Sequence, residues 1–390
     1  MPGDTALAGL RVVDLSTLLA GPQVAALLAD LGADVVKVEP PAGDPLQHLG
    51  LQRGGRSVPY RLANRGKRRV VVDFDTEDGI SALAELTARA AVVVVNQPRT
   101  LLERWGCTPD QISARNPGAV VVSVSCFGTT GPWADRPGNG SLAEAFAGLT
   151  NLTGETDGPP MLGSVALGDS LVALAGAFGA LAACWHRDAG GGTGQHVDVS
   201  MYEPIVALLG PAVVAWAPGD APPVRTGSRV PGGVPRNVYR ASDGRYVVLS
   251  GTTDAQVARV LAVIDHDTPA ARERYGTSAA RLARADELDG LVADWIAVRP
   301  RGEVLAAFDA ARVPVVPVND LAELAEHPQA VARGSLVTLA DPDAGSVVLP
   351  GPVAHLDHTP AVARPAPIDA VPVGDVLTAW SRAADHTGGA

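Results

Sequence analysis

The segment Leu167-Gly168-Asp169-Ser170 places an acid directly before an apolar stretch, 171–185, whose composition predicts a helix. Free backbone N–H groups and the helix dipole favour negative charge at such a start. One reading is a plain N-cap, with Asp169 accepting from the first turn. The other is catalytic. A carboxylate held ionised at a helix start, beside a glycine that leaves room for a ligand, can attack an activated acyl group. Other chemical patterns are missing. There is no G-x-S-x-G, and none of the eight histidines has metal-helix spacing; His355 and His358 read as loop residues, so no metal site is expected. Cys126 ends a predicted strand with nothing electropositive beside it, and reads as a buried structural thiol.

The elements that must position Asp169 alternate in type. Strands are predicted over 10–15, 34–38, 69–73, 91–95, 119–124 and 196–201, and helices over 21–31, 79–90 and 109–116. That cadence argues for an α/β domain built on a parallel sheet with helices on both faces. The first strand runs into Ser16-Thr17-Leu18-Leu19-Ala20-Gly21-Pro22, which lacks the G-x-G-x-x-G of a dinucleotide site. A nicotinamide oxidoreductase is therefore disfavoured. No G-x-x-x-x-G-K-[ST] is present either, and the glycine run 190–194 precedes a strand, as a surface turn does.

Residues 211–233 are dense in Pro and Gly and read as a linker, after a large domain over 1–210. A small domain is expected over 234–325. It would hold a hairpin about Asp243-Gly244, helices over 254–264 and 285–298, and a proline-bearing edge strand over 313–318. A C-terminal segment over 326–390, Pro-rich from Asp341, closes the chain with a helix over 373–384. The 390 residues carry 31 basic and 42 acidic side chains, a net charge of −11. Such a surface repels phosphate backbones, so neither nucleic acid nor an anionic membrane is an expected partner. Three cysteines without a C-x-x-C pair, an N-terminus over 1–6 without a secretory signal, and an apolar helix below spanning length predict a cytoplasmic protein.

Several blocks, in order, resemble the family III CoA-transferases. They are Leu10-Arg11-Val12-Val13-Asp14-Leu15-Ser16 with Ala20-Gly21-Pro22 and the run 31–39; Asn64-Arg65-Gly66-Lys67-Arg68; Phe127-Gly128-Thr129-Thr130-Gly131-Pro132 with Arg136-Pro137-Gly138; Ala166-Leu167-Gly168-Asp169-Ser170; and His327-Pro328-Gln329-Ala330 with Arg333-Gly334. The resemblance implies a large Rossmann-like domain, a smaller α+β domain and an interlocked homodimer. It implies that Asp169 attacks an acyl-CoA to give an aspartyl-acyl anhydride and then an aspartyl-CoA thioester. Coenzyme A is then substrate and product, an acyl-CoA is the donor and a carboxylic acid the acceptor, with no tightly bound cofactor.

The same resemblance assigns CoA contacts to Thr17, Leu18, Leu19 and Ala20, to the stretch from Val72 through Phe74 to Asp75, and to Asn96 and Arg104. Lys37, Lys67 and Arg68 are further candidate cations, and Gly232 and Gly233 a candidate lid. Racemases of this superfamily use a His in a Gly-His-Asp segment, where this chain reads Gly138-Asn139-Gly140. Lacking that His, two-base proton transfer lacks a base, and racemisation is disfavoured. Leu19 and Pro40 stand where some transferases carry Gln and Arg, which argues against oxalate or formate as the acid. A CoA-ester-binding protein without turnover is the remaining alternative.

Overall fold

Runs of valine build the centre of the molecule. The computed structural model describes residues 5–387; the start of the N-terminal segment examined for a signal and the final Gly-Gly-Ala lie outside the described residues. Six strands form one parallel sheet: β1 (Arg11–Asp14), β2 (Asp34–Glu39), β3 (Arg68–Val71), β4 (Val92–Val95), β5 (Val120–Ser125) and β6 (His196–Ser200). Branched side chains suit the pleated surface, and successive ones point to opposite faces. Val12, Val92, Val94, Val120 and Val122 enter one core, whereas Val13, Val93, Val95 and Val121 enter the other. Both faces are covered, as a parallel sheet requires.

The spatial order is β3-β2-β1-β4-β5-β6, so the order reverses between β1 and β4. In open α/β sheets ligands bind beyond the carboxyl ends of the strands at such a reversal. The helices α1 (Ala20–Asp30) and α2 (Glu77–Arg89) cover the sheet, followed by the short α3 (Gly140–Phe146) and the long α4 (Leu167–Gly190). Gly176 lets α4 approach α1 closely, since a Cβ there would lie 2.8 Å from Val24 Cγ2.

The helix expected over 171–185 is longer than its apolar core. At 24 residues it is long and apolar enough to cross a membrane by length and composition, so the expectation that it falls short of a span does not hold. One face is nonetheless part of the core on the sheet, through Val172, Ala173, Ala177, Ala180 and Ala183.

The chain divides into two compact units. The first comprises Met1–Thr150, Leu162–Asp220 and Val331–Ala390, and contains the parallel sheet. In its C-terminal part, Val371 N–H donates to Arg69 O beside β3, and α5 (Val373–Thr387) brings Val376 and Trp380 into the core. Trp380 Nε1 donates to Asp34 Oδ2 at 2.7 Å. The second unit comprises Asn151–Met161 and Ala221–Ala330. It holds the antiparallel strands β7 (Arg236–Arg240), β8 (Tyr246–Ser250) and β9 (Val315–Pro317), with β9 at an edge. Residues 151–161 cluster here, although the sequence reading leaves them in the large domain. Arg225 explains why, donating to the carbonyls of Asn151, Glu155 and Gly158. Part of the predicted linker is helical, over Gly210–Ala215. The C-terminal segment contains an unforeseen hairpin, β10 (Leu336–Asp341) and β11 (Gly345–Pro350).

Candidate functional site

At the reversal point the loop after β1 is tied to the end of β4. Thr17 N–H donates to Asn96 Oδ1, and Asn96 Nδ2 donates back to Thr17 O, both at 2.8 Å. Gln97 adds a bond to Thr17 Oγ1 at 3.1 Å. Leu18 follows with φ of 65°, a left-handed conformation unfavourable for a branched side chain, and it is exposed. Strain of this kind persists where surroundings over-determine it. Asp44 supplies that constraint, because its Oδ1 accepts from Leu18 N–H at 3.2 Å. Leu19 packs against Leu46, Tyr60 and Ala63, and Ala20 is buried at the start of α1.

Lys37 has a different place from the one expected. Its side chain is 0% exposed, ion-paired with Asp44 at 2.9 Å, and donates to Ser16 O. It supports the 16–18 loop from beneath and cannot reach a ligand in solvent. Burial opposes its charge, yet Asp14 and Asp44 raise its pKa above the usual lysine value. Lys67 is also buried, bonded to Asp14 Oδ2, Pro22 O and Asn64 Oδ1. Burial pushes its pKa down to about 8 despite the pull of Asp14. Arg68 grips Asp34 with two nitrogens. Two of these three candidate cations are thus sealed in the fold, and the third is occupied by Asp34.

A second group gathers beyond β3. Val72 is buried, while the Phe74 ring lies 4.3 Å from that of Trp105. The neighbouring Arg104 is 59% exposed and meets Asp75 Oδ1 at 3.2 Å. The structure therefore joins Phe74 and Arg104 in one patch and Thr17 with Asn96 in another, both at carboxyl ends of strands.

Asp169 sits at the third helical position of α4, whose N-cap is Ala166. Asp169 is not the N-cap residue, and Ala166, which is, makes no side-chain cap bond. The first-turn Gly168 N–H instead donates to Glu144 Oε1 of α3 at 3.0 Å. The Asp169 carboxyl rests against Gly140. A Cβ at Gly140 would overlap Oδ2, and one at Gly168 would lie 2.7 Å from Gly140 O. Both glycines are required by this close approach. Burial raises the Asp169 pKa to about 6; its own backbone N–H opposes the rise, and the Glu144 charge adds to it. The carboxyl thus holds its proton more tightly than an ordinary carboxylate, where the sequence predicts one held ionised. Cys126 lies beside this group, buried, with its thiol pKa raised by burial and by Asp169. Glu144 escaped the sequence reading because one acid on a short helix carries no signal of a cap made 24 residues later.

In the second unit, Gly232 is exposed with φ of 89°, whereas Gly233 is buried against Thr252. A Cβ on Gly233 would lie 2.6 Å from Thr252 Cγ2, so that half of the pair is a packed turn. Among the described residues no cluster of His, Cys, Asp and Glu could hold a metal ion.

Comparison with known proteins places these features in a family. The family described as CoA-transferase family III matches residues 7–369. The succinyl-CoA–D-citramalate CoA-transferase of Chloroflexus aurantiacus is 34% identical over 353 residues, covering 90% of this chain and 88% of the relative. The succinate–glutarate CoA-transferase of Agrobacterium fabrum is 32% identical, covering 88% and 87%. Among solved structures, a CAIB/BAIF family protein from Brucella suis superposes with a TM-score of 0.83 at 30% identity, covering 96% of this chain and 99% of that one. A match that runs from before β1 almost to α5 takes in both units, and the chain belongs to the family III CoA-transferases, enzymes that act on acyl-CoA substrates.

Proposed function

We propose that this transferase moves CoA from an acyl-CoA to a carboxylic acid through covalent intermediates on Asp169. The observation that carries the reading is the setting of Asp169: partly buried at a helix start, pressed on Gly140, and joined by no ion pair among the described residues. With a pKa of about 6 it is mostly ionised at neutral pH, yet more basic than an exposed carboxylate. That combination suits a nucleophile.

One Asp169 oxygen attacks the thioester carbonyl carbon, the C–S bond breaks, and CoA leaves as its thiolate. The product is a mixed anhydride. The thiolate then attacks the Asp169 carbonyl carbon and expels the donor acid as a carboxylate, leaving an aspartyl-CoA thioester. The acceptor carboxylate attacks that thioester, and the released thiolate takes up the acceptor's acyl group from the second anhydride. Asp169 is restored, and no net proton is consumed. Asn139 supplies no imidazole for a second base, so isomerisation lacks support.

CoA is read as substrate rather than resident cofactor, held by the loop 17–20 with Asn96 and by the patch of Phe74 and Arg104. The named relatives act on succinyl-CoA with citramalate, or on succinate and glutarate, which supports small dicarboxylic acids as the exchanged partners. A homodimer is part of this reading. Its support is the apolar stripe of Leu174, Phe178 and Trp185 along α4, of which Phe178 is 76% exposed. Three free, buried cysteines suit a reducing, cytoplasmic setting.

The test is incubation with succinyl-CoA and a panel of isotopically labelled acids, read by mass spectrometry. A new CoA ester carrying the acceptor's label is the expected result. Isomerised donor alone, or no conversion with any acid, would overturn the reading.

A further inference from the structure

Helix α4 begins in an unusual way. Ala166 at its N-cap has no side chain able to accept a hydrogen bond, and the first-turn Gly168 N–H is bound by Glu144 Oε1 at 3.0 Å. Glu144 projects from α3 and is 3% exposed. Burying a carboxylate that no cation pairs with, among the described residues, is costly. A serine or threonine at 166 would cap the same helix without that cost. The arrangement does something a local cap would not: it sets a second acid beside Asp169 and binds the Gly168 N–H from another helix.

We infer that Glu144 is a positioning residue for Asp169, fixing the start of the Asp169 helix from a neighbouring helix and presenting the Asp169 carboxyl with a like charge. The inference rests on the proposed role of Asp169 as nucleophile. Gly140 completes the device. It opens the helix that carries Glu144, and a Cβ on it would overlap the Asp169 carboxyl, so α3 bears on both the place and the electrostatics of that group. The Glu144 charge accordingly contributes to the raised pKa of Asp169, after burial.

The charged groups on the other packed elements are engaged elsewhere. From the end of β5, Cys126 is the one titratable neighbour, its thiol directed at Asn139 O. On α1 the only charged residue, Asp30, is bound by Arg65. On β6, His196 bonds Ser123 and Asp198 bonds Thr129. Glu203, on the helix after β6, accepts from Ser200 Oγ. Glu144 is the charge left to act on Asp169.

Two substitutions separate its two roles. Glu144→Gln keeps an acceptor for Gly168 N–H and removes the charge, whereas Glu144→Ala removes both. Each full-length variant is assayed for kcat and KM from acid to mildly alkaline pH, with thermal melting as a fold control. Glu144→Gln is expected to move the acid limb of kcat/KM to lower pH by roughly half to one unit. Its activity at neutral pH should fall about two- to fivefold, because a weaker base is a weaker nucleophile. Glu144→Ala should lower kcat by about 10- to 100-fold with little change in KM for the acyl-CoA, the signature of a displaced reacting group. Folded variants whose acid limb and kcat both match the wild type overturn the inference. Should Glu144→Ala fail to fold, an unmoved acid limb in Glu144→Gln is itself sufficient to overturn it. Hydroxylamine trapping on the wild type keeps the two claims apart: label on a residue other than Asp169 defeats the nucleophile reading, whereas label on Asp169 with unmoved Glu144 variants defeats this inference alone.

Discussion

Gly140 and Asp169 are separated by nothing larger than a hydrogen: a Cβ at 140 would overlap Asp169 Oδ2 and lie 2.9 Å from Cγ. The site tolerates no side chain there. Gly140→Ala should therefore push the Asp169 carboxyl aside and cost about 100-fold in kcat, the scale of a misplacement near 1 Å. Steady-state assays with circular dichroism check this; a folded variant with wild-type kcat would refute the contact.

Asp169 should also leave a mark on stability. Its proton is held more tightly in the folded chain, with a pKa of about 6, than in the unfolded chain, where the value is the ordinary 3.8. The folded state then binds more protons between those values, so this group's contribution to stability is present in acid and is lost as pH rises through about 6. Asp169→Asn, inactive but neutral, should melt higher than the wild type at pH 7.5 and approach it at pH 4. Equal melting at both pH values would count against the raised pKa.

Lys37 and Asp44 form a fully buried pair beneath the strained Leu18. Lys37→Met leaves Asp44 uncompensated, and removing one partner of such a pair costs about 3–5 kcal/mol. Urea denaturation should show that loss, together with weaker CoA binding as the 16–18 loop relaxes. A denaturation midpoint equal to that of the wild type would contradict the supporting role.

Arg104 makes an exposed ion pair with Asp75, of a kind worth little to stability. Arg104→Ala should melt like the wild type yet bind CoA about 10- to 100-fold more weakly, or about 1.5–3 kcal/mol, the range for a hydrogen bond to a charged group. The deficit should shrink as salt rises. Calorimetric titration measures both; unchanged affinity at low salt would remove Arg104 from the CoA site.

Much of this arrangement is legible in the amino-acid order, for physical reasons. Valine runs bounded by turn residues announce the buried strands, and Gly168-Asp169 announces a helix start. What is not legible depends on tertiary neighbours. Lys37 looks like an available cation because nothing in Asp34-Val35-Val36-Lys37 reveals that Asp44 closes over it. The buried Val347 and Leu349 of β11 alternate with exposed residues as strand residues should, but the surrounding prolines hide that pattern. Glu144 is the sharpest case. Its partner, Gly168 N–H, is reached only once α3 and α4 have packed.

The central claim is that an acyl group passes through Asp169. The direct measurement is peptide mass spectrometry after incubating the enzyme with succinyl-CoA and hydroxylamine, which converts an aspartyl anhydride or thioester to a hydroxamate. The account predicts a hydroxamate at Asp169 that requires the acyl-CoA and is absent from Asp169→Ala, which should show no transfer. Transfer proceeding at the wild-type rate in Asp169→Ala, with the hydroxamate absent from the wild-type peptide, would contradict it.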